Sequence, residues 1–455
     1  MYKFFSKFKA LLMVSIMAIS LTACASQTPD NNVSDTVSEA ETTATETPAA
    51  DTPAETVKLK MYAHYTSEDE KSQLDYAMAE MKKIMPNVEI EVDVMPQDSG
   101  AKLKTYFATG SLPDIFEVST SDIATAVNSN SAVPLDDYIQ KLNIADQLTP
   151  TGQSLLMQQD GHTWGIIGSN TNFAVIYVNK ALFEEAGAKV PENYEEFLQA
   201  GELLKAKGIV PLGIWLKETW PPLQLFDMFS LTQSQKGITD LDLNGTANAS
   251  DPAYLNAASK IQEIANKGLI SKDAFSMDYD SAVADFKSGK SAMLLCGNWM
   301  AQEFGDTMGD DVTLLLPYVL ADASEAQAVK DSGVMSGGGF TGGFAVAANS
   351  QYKDIAAEYA VQFALKNIEA RIVKTGELNT MLEASFTPEK APNALTNQLS
   401  EAVANVKYST IMGWGFESSK IQTDLGSEVQ KLFTGEYAPD EFATNVNAFL
   451  EKNRQ

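Results

Sequence analysis

Tyr177-Val178-Asn179-Lys180-Ala181-Leu182-Phe183-Glu184-Glu185-Ala186-Gly187, continued by Val190-Pro191-Glu192-Asn193-Tyr194-Glu195-Glu196-Phe197, is the stretch that decides the fold. Asn179 can cap a helix begun at Lys180. Leu182 and Phe183 would dock that helix, and Gly187 would stop it. Asn193 with Glu196 reads as the start of a second helix, running to Lys207 and ending at Gly208. Most of the stretch is therefore scaffold, and Asn179 and Phe183 are not expected to touch a ligand.

The same rhythm extends in both directions. Val57 to Met61 begins a strand, a helical stretch runs from about Ser72 to Met85, and Val88, Ile90, Val92 and Val94 alternate with acids in a half-exposed strand. A helix from about Ala101 to Thr109 stops at Gly110, and Asp114 to Val118 is the next strand. This βαβαβ order implies a parallel sheet with helices on its faces. Ser288-Gly289-Lys290 reads as a helix-to-strand turn, and Val312 to Tyr318 and Gly343 to Ala348 read as later strands. The end is a helix opened by Pro439, with Phe442, Val446, Phe449 and Leu450 on one face. About 400 globular residues exceed one ordinary core, so two domains are expected.

The N-terminus reads as an export signal. Lys3, Lys7 and Lys9 precede an apolar run, Ala10 to Ile19, too short to span a bilayer, and Leu21-Thr22-Ala23-Cys24 follows. Residues 25–55 are nearly all Ser, Thr, Ala, Pro, Asp, Glu and Asn, a composition that cannot bury a core and reads as an extended tether. The net charge is −27, of which residues 1–55 supply −4, so the folded body is itself acidic. That argues against nucleic acid and anionic membrane surfaces as partners. The second cysteine, Cys296, lies in an apolar run and reads as a buried, inert thiol. No Cys/His cluster suggests a metal, and no cofactor is implied.

The opening stretch resembles the "YNKxLFEEAG…VPxTWEEF" signature of family 1 extracellular solute-binding proteins, the maltose-binding-protein-like group. Phe107 to Ile115, Phe286 to Met293 with Gly297-Asn298-Trp299, and Gly342 to Ala347 are similar to three further segments of that family, in the same order. Leu21 to Cys24 resembles a bacterial lipobox, which implies lipidation of Cys24 after removal of residues 1–23, with 24–55 as the anchored tether. The resemblance implies a two-lobed α/β fold with hinge crossovers and an interlobe cleft. One lobe is expected from 57–168 plus 302–368, the other from 169–301 plus 369–455, with Gly168 to Thr171 as one crossover. The implied role is the sugar- or oligosaccharide-binding receptor of an ABC importer. It would be a monomer, held on the outer face of the cell membrane by its lipid, and would deliver ligand to permease subunits.

A pyranose needs flat aromatic faces and hydroxyl-binding side chains. The five tryptophans are Trp164, Trp215, Trp220, Trp299 and Trp414, each near a glycine or proline. Trp299 and Trp414 match family positions that stack on sugar, and Trp220 falls where the family often places another aromatic. Trp215 reads equally as core, and Trp164 as structural. Tyr65 after the first strand, and Ser119 and Asp122 after the third, occupy the strand ends where open α/β sheets bind ligands. Asp122 reads equally as a helix cap. Gly339, in Gly337-Gly338-Gly339-Phe340, would let backbone approach the ligand or serve as a hinge. Glu117 to Ser121 lack the aromatic that many members place there, so the sugar's identity stays open. Neither His64 nor His162 accompanies a nucleophile motif, and no carboxylate pair stands out, so catalysis is not expected. A glycosidase, a receptor feeding a membrane sensor, and a receptor for a polyamine or other non-sugar ligand are the competing readings.

Overall fold

Two open sheets organise the chain. The computed structural model describes residues 55–65, 68–96, 100–340 and 342–454. The expected leader, Cys24 and all but the last residue of the expected tether lie outside the described residues. In chain order the strands are β1 (Val57–Ala63), β2 (Val88–Val94), β3 (Ile115–Val118), β4 (Met157–Gln159), β5 (His162–Ile167) and β6 (Ala174–Asn179). Then come β7 (Val210–Gly213), β8 (Ser291–Gly297), β9 (Val312–Leu315), β10 (Val334–Met335), β11 (Gly343–Val346) and β12 (Tyr408–Ser409).

The first sheet has the order β2-β1-β3-β11-β5-β4. β1 runs parallel to β2 and β3, as the βαβαβ reading requires, while β11 returns antiparallel between β3 and β5. The strand period of two sends β1 into two cores. Leu59 and Met61 pack with residues of the helix Lys353–Thr375, and Tyr62 packs on the other face with Leu103 and Phe116.

The second sheet has the order β7-β8-β6-β9. Every residue of β8 is buried. Met293 and Leu295 face one core, Leu294 and Cys296 the other. Burial on both faces is why this strand is an unbroken apolar run. Cys296 is a free thiol whose proton affinity burial pushes up to about 12, which makes it inert.

The caps of the opening stretch form. Asn179 accepts the Leu182 N–H at 3.3 Å, and Gly187 ends the helix Lys180–Ala186 with φ 67°. Asn193 accepts the Glu196 N–H at 3.0 Å, but Glu196 reaches back to the Glu192 N–H, one residue earlier than a capping box requires.

One boundary differs from expectation. The whole of 302–368 is expected in the first lobe, yet β9 lies within it and pairs antiparallel with β6 in the second sheet. β6 offers a free edge there, and pairing satisfies it. Only the later part of 302–368, with β11 and the helix Lys353–Thr375, joins the first sheet. The strand expected over Val312 to Tyr318 is also shorter, because Pro317 opens a 3₁₀ turn, Pro317–Leu320.

Candidate functional site

Five aromatic rings converge beside the second sheet. Trp220 opens the helix Trp220–Ser230, ahead of two prolines that suit a first turn. Trp299 sits in the single turn Asn298–Met300 that follows β8. Trp414 lies between β12 and the helix Ser419–Leu432, and Tyr279 begins the helix Tyr279–Lys287. Trp220 is the hub. Its ring centroid is 5.0 Å from Trp215, 6.0 Å from Trp299 and 5.0 Å from Trp414. Trp299 and Trp414 are 6.0 Å apart and tilted by 50°. Trp215 is fully buried and forms the floor, edge-on to Trp220 and Tyr279. Trp220, Trp299, Trp414 and Tyr279 remain half-buried.

Two glycines make room for this cluster. A Cβ on Gly297 would stand 1.9 Å from the Trp299 ring, and one on Gly413 would stand 3.0 Å from Trp220. Hydrogen bonds fix the ring orientations. Trp220 donates its indole N–H to Glu218 at 2.9 Å. Trp299 donates to the Tyr279 hydroxyl at 3.1 Å, and that hydroxyl donates to the Met300 sulfur at 3.0 Å. Burial raises the proton affinity of Glu218, and the Trp220 indole N–H opposes that rise.

A buried carboxylate ties the Trp414 segment to the helix Trp220–Ser230. Asp227, fully buried, accepts the hydroxyls of Ser336 and Thr410 at 2.6 Å each and the Ile238 N–H at 2.8 Å. Thr410 in turn accepts the Gly337 N–H at 2.9 Å, and Gln224 accepts the Gly413 N–H at 2.9 Å. The platform is thus held from beneath by a fully engaged polar network.

The strand ends of the first sheet carry acids. The His64 N–H donates to Glu117 at 2.7 Å. Burial raises the Glu117 carboxyl, opposed by His64 and Arg371, and Glu70 raises it further. Glu70 also raises Tyr279.

Asparagines bind the crossovers together. Asn170 donates to the Leu378 carbonyl at 2.8 Å and accepts the Thr380 N–H at 3.2 Å. Asn298, next to Trp299, accepts the Phe173 N–H at 3.0 Å and donates to the Thr171 carbonyl at 3.1 Å. Asn172 accepts from Arg371 at 3.2 Å, and Arg371 pairs with Glu377 at 3.0 Å.

Of the sequence-derived candidates, Trp220, Trp299 and Trp414 come together. Ser119 and Asp122 chiefly serve each other. Asp122 accepts the Ser119 N–H and hydroxyl at 2.9 and 2.6 Å in a capping box for the helix Thr120–Asn128. Tyr65 is half-buried against the first sheet's core. Gly339 takes φ 65° beside Ile411 in the stretch between β10 and β11. Tyr279 and Glu218, which the sequence did not single out, join the platform through hydrogen bonds to Trp299 and Trp220. Glu218 had one signal, its place in the polar segment bracketed by Trp215 and Trp220. Among the described residues no group of three or more His, Cys, Asp or Glu is placed to hold a metal ion.

Two open α/β sheets, crossovers tied by Asn170, Asn172 and Asn298, and an aromatic platform are the features of a two-lobed binding protein. The chain belongs to the family described as bacterial extracellular solute-binding protein, whose profile matches residues 65–368. That membership gives an extracytoplasmic location, and no described helix is long and apolar enough to cross a membrane. The chain is 24% identical over 304 residues to an uncharacterised extracellular-binding protein of an ABC transporter from Pyrococcus horikoshii, covering 64% of each chain. It is 24% identical over 262 residues to the multiple sugar-binding protein of Streptococcus mutans, covering 51% of this chain and 56% of that one. The match thus spans less than two thirds of these curated relatives. A structure solved in work on xylan utilisation by Caldanaerobius polysaccharolyticus superposes with TM-score 0.76 at 25% identity, covering 86% of this chain and 100% of that one. A chitin oligosaccharide binding protein superposes with TM-score 0.73 at 21% identity, covering 88% and 99%.

Proposed function

We propose that the chain is the sugar- or oligosaccharide-binding receptor of an ABC importer, taking its ligand between the lobes and passing it to permease subunits without chemical change. The observation that carries this reading is the convergence of Trp220, Trp299 and Trp414, half-exposed, beside Glu218. Tilted rings offer faces to the apolar side of a pyranose, and stacking adds about 0.5–1.5 kcal/mol beyond area burial. Tyr65, Ser119, Asp122 and Gly339 are the contacts proposed from the first sheet's side and the crossover. Ligand favours closure only through contacts that differ between open and closed states. The multiple sugar-binding protein of Streptococcus mutans and the chitin oligosaccharide binding protein support the sugar reading by their names.

A thermal-shift screen with maltotriose, xylotriose, cellotriose, raffinose and spermidine tests it. A bound ligand at a hundred times its Kd stabilises by about 2.7 kcal/mol. At least one of the four sugars should raise the melting temperature, and Trp299→Ala should lose that shift. Stabilisation by spermidine alone would contradict the sugar reading. The anchor is proposed at Cys24, with the chain acting as a monomer. Mass spectrometry of the membrane-extracted protein should find Cys24 N-terminal and carrying lipid, and an unmodified Cys24 would contradict anchoring.

A further inference from the structure

We infer that Arg371 is a positioning residue of the crossovers: its guanidinium is shared between Asn172 and Glu377 in one state of the cleft and grips both oxygens of Glu377 in the other. The inference rests on the closure proposed above and names a side chain that changes partners with it. Arg371 is one of only two arginines in the chain. It stands in the last turns of the helix Lys353–Thr375, and Glu377 follows Gly376, which ends that helix at φ 71°. The Thr375 hydroxyl donates to the Arg371 carbonyl at 2.6 Å and accepts the Glu377 N–H at 3.3 Å, which holds the two backbones together.

Asn172 belongs to a different connection, the one between β5 and β6. Its carbonyl accepts the Gly338 N–H at 2.7 Å, from the stretch between β10 and β11. Asn172 is buried, so three connecting stretches meet at one enclosed side chain. The pairing there is incomplete. Arg371 Nη2 donates both to Asn172 Oδ1 at 3.2 Å and to Glu377 Oε1 at 3.0 Å. Arg371 Nε and Glu377 Oε2 are buried and have no partner among the described residues. The Arg371 and Glu377 side chains are only 13% and 9% exposed, so bulk water does not make up the difference.

The two unmet atoms complement each other. An arginine and a carboxylate prefer a fork of two parallel N–H···O bonds, and Nε with Oε2 is the missing arm of that fork. A buried ionic atom without a partner costs desolvation that nothing returns. Turning the guanidinium toward Glu377 would meet both atoms at once and give up Asn172. A cavity of about 20 Å³, lined by Thr171, Trp299, Glu377 and Thr380 among others, leaves the carboxylate room to turn. It also has room for one water, and a water held on Glu377 in every state is the alternative to be separated. The choice of partner therefore follows where the β5–β6 connection stands relative to the end of the helix. One buried side chain with two discrete arrangements is a bistable element, of the kind that a lobe rotation can bias.

Nitrogen-15 NMR of the arginine side chains tests this. Two arginines give two Nε–H signals, and Arg454→Lys assigns them. Maltotriose, xylotriose, cellotriose and raffinose are the probes, and unliganded melting temperatures are the folding control. Saturation with the sugar that binds best should move the Arg371 signal and change its exchange with water by about tenfold or more. Asn172→Ala leaves the ion pair intact, so its Arg371 signal should keep one position with and without sugar. Its affinity for that sugar should differ from wild type by about threefold or more. Asn172→Asp strengthens the competing grip and should hold the signal at the other position, which keeps the test open if the alanine variant fails to fold. A wild-type signal unmoved by a saturating sugar, as a water held on Glu377 throughout would give, would overturn the inference and leave the sugar reading intact. So would a signal that moves equally in the wild type and both variants. A wild type that binds none of the four sugars would contradict the sugar reading and take this inference with it.

Discussion

Asp227 shows how one side chain links stability to the site. It is an acid inside an otherwise apolar helix, and burial pushes its pKa up to about 6 from 3.8, with the hydroxyls of Ser336 and Thr410 opposing the rise. A raised folded pKa means that the native state binds this proton more readily than the unfolded chain. Its contribution to stability is fully present below the unfolded pKa and is lost as pH rises through about 6. Two pKa units correspond to about 3 kcal/mol. Asp227→Asn cannot titrate, so its melting temperature relative to wild type should improve between about pH 4 and about pH 7. Thermal melts across that range check this, and a difference that does not vary with pH would contradict it. At this scale legibility tracked rarity. Three of five tryptophans, each within two residues of a glycine or proline, form the platform, whereas Glu218 was one of 60 acidic residues and became distinct only through its bond to Trp220. Ser119-Thr120-Ser121-Asp122 has the spacing of a capping box, and capping is the role its hydrogen bonds fill.

Elements were legible wherever their signals were local. The Asn193 side-chain cap, the stops at Gly110 and Gly187 and the alternation over Val88 to Val92 depend on residues a few positions apart and formed as read, whereas Val94 at the end of β2 is exposed and Asp93 half-buried. Pairing was less legible, because it depends on residues far apart in sequence. β9 carries the same apolar signature whichever sheet it joins, so only the free edge of β6 assigns it to the second. The crossover follows the same logic. The family resemblance implied one at Gly168 to Thr171, and there Asn170 bonds to Leu378 and Thr380, more than 200 residues away. An asparagine suits this task because it offers both a donor and an acceptor to neighbouring backbone. Asn298 ties the segment Thr171–Phe173 and is the neighbour of Trp299, so the platform and the crossover share a residue.

Across the whole molecule, the platform belongs to one sheet and the acidic strand ends to the other, with asparagine-laced crossovers between. A net charge of −27 would repel anionic ligands and leaves a neutral, hydroxyl-rich one unopposed. If the proposed function holds, ligand contacts to both lobes would favour a closed state over an open one. The most direct test is small-angle X-ray scattering of the folded body with and without a saturating concentration of whichever trisaccharide binds best. The radius of gyration should fall on binding in the wild type and stay at its unliganded value when Trp299→Ala and Trp414→Ala are combined. A saturated wild-type protein whose radius of gyration does not change would contradict closure around a sugar held on the tryptophan platform.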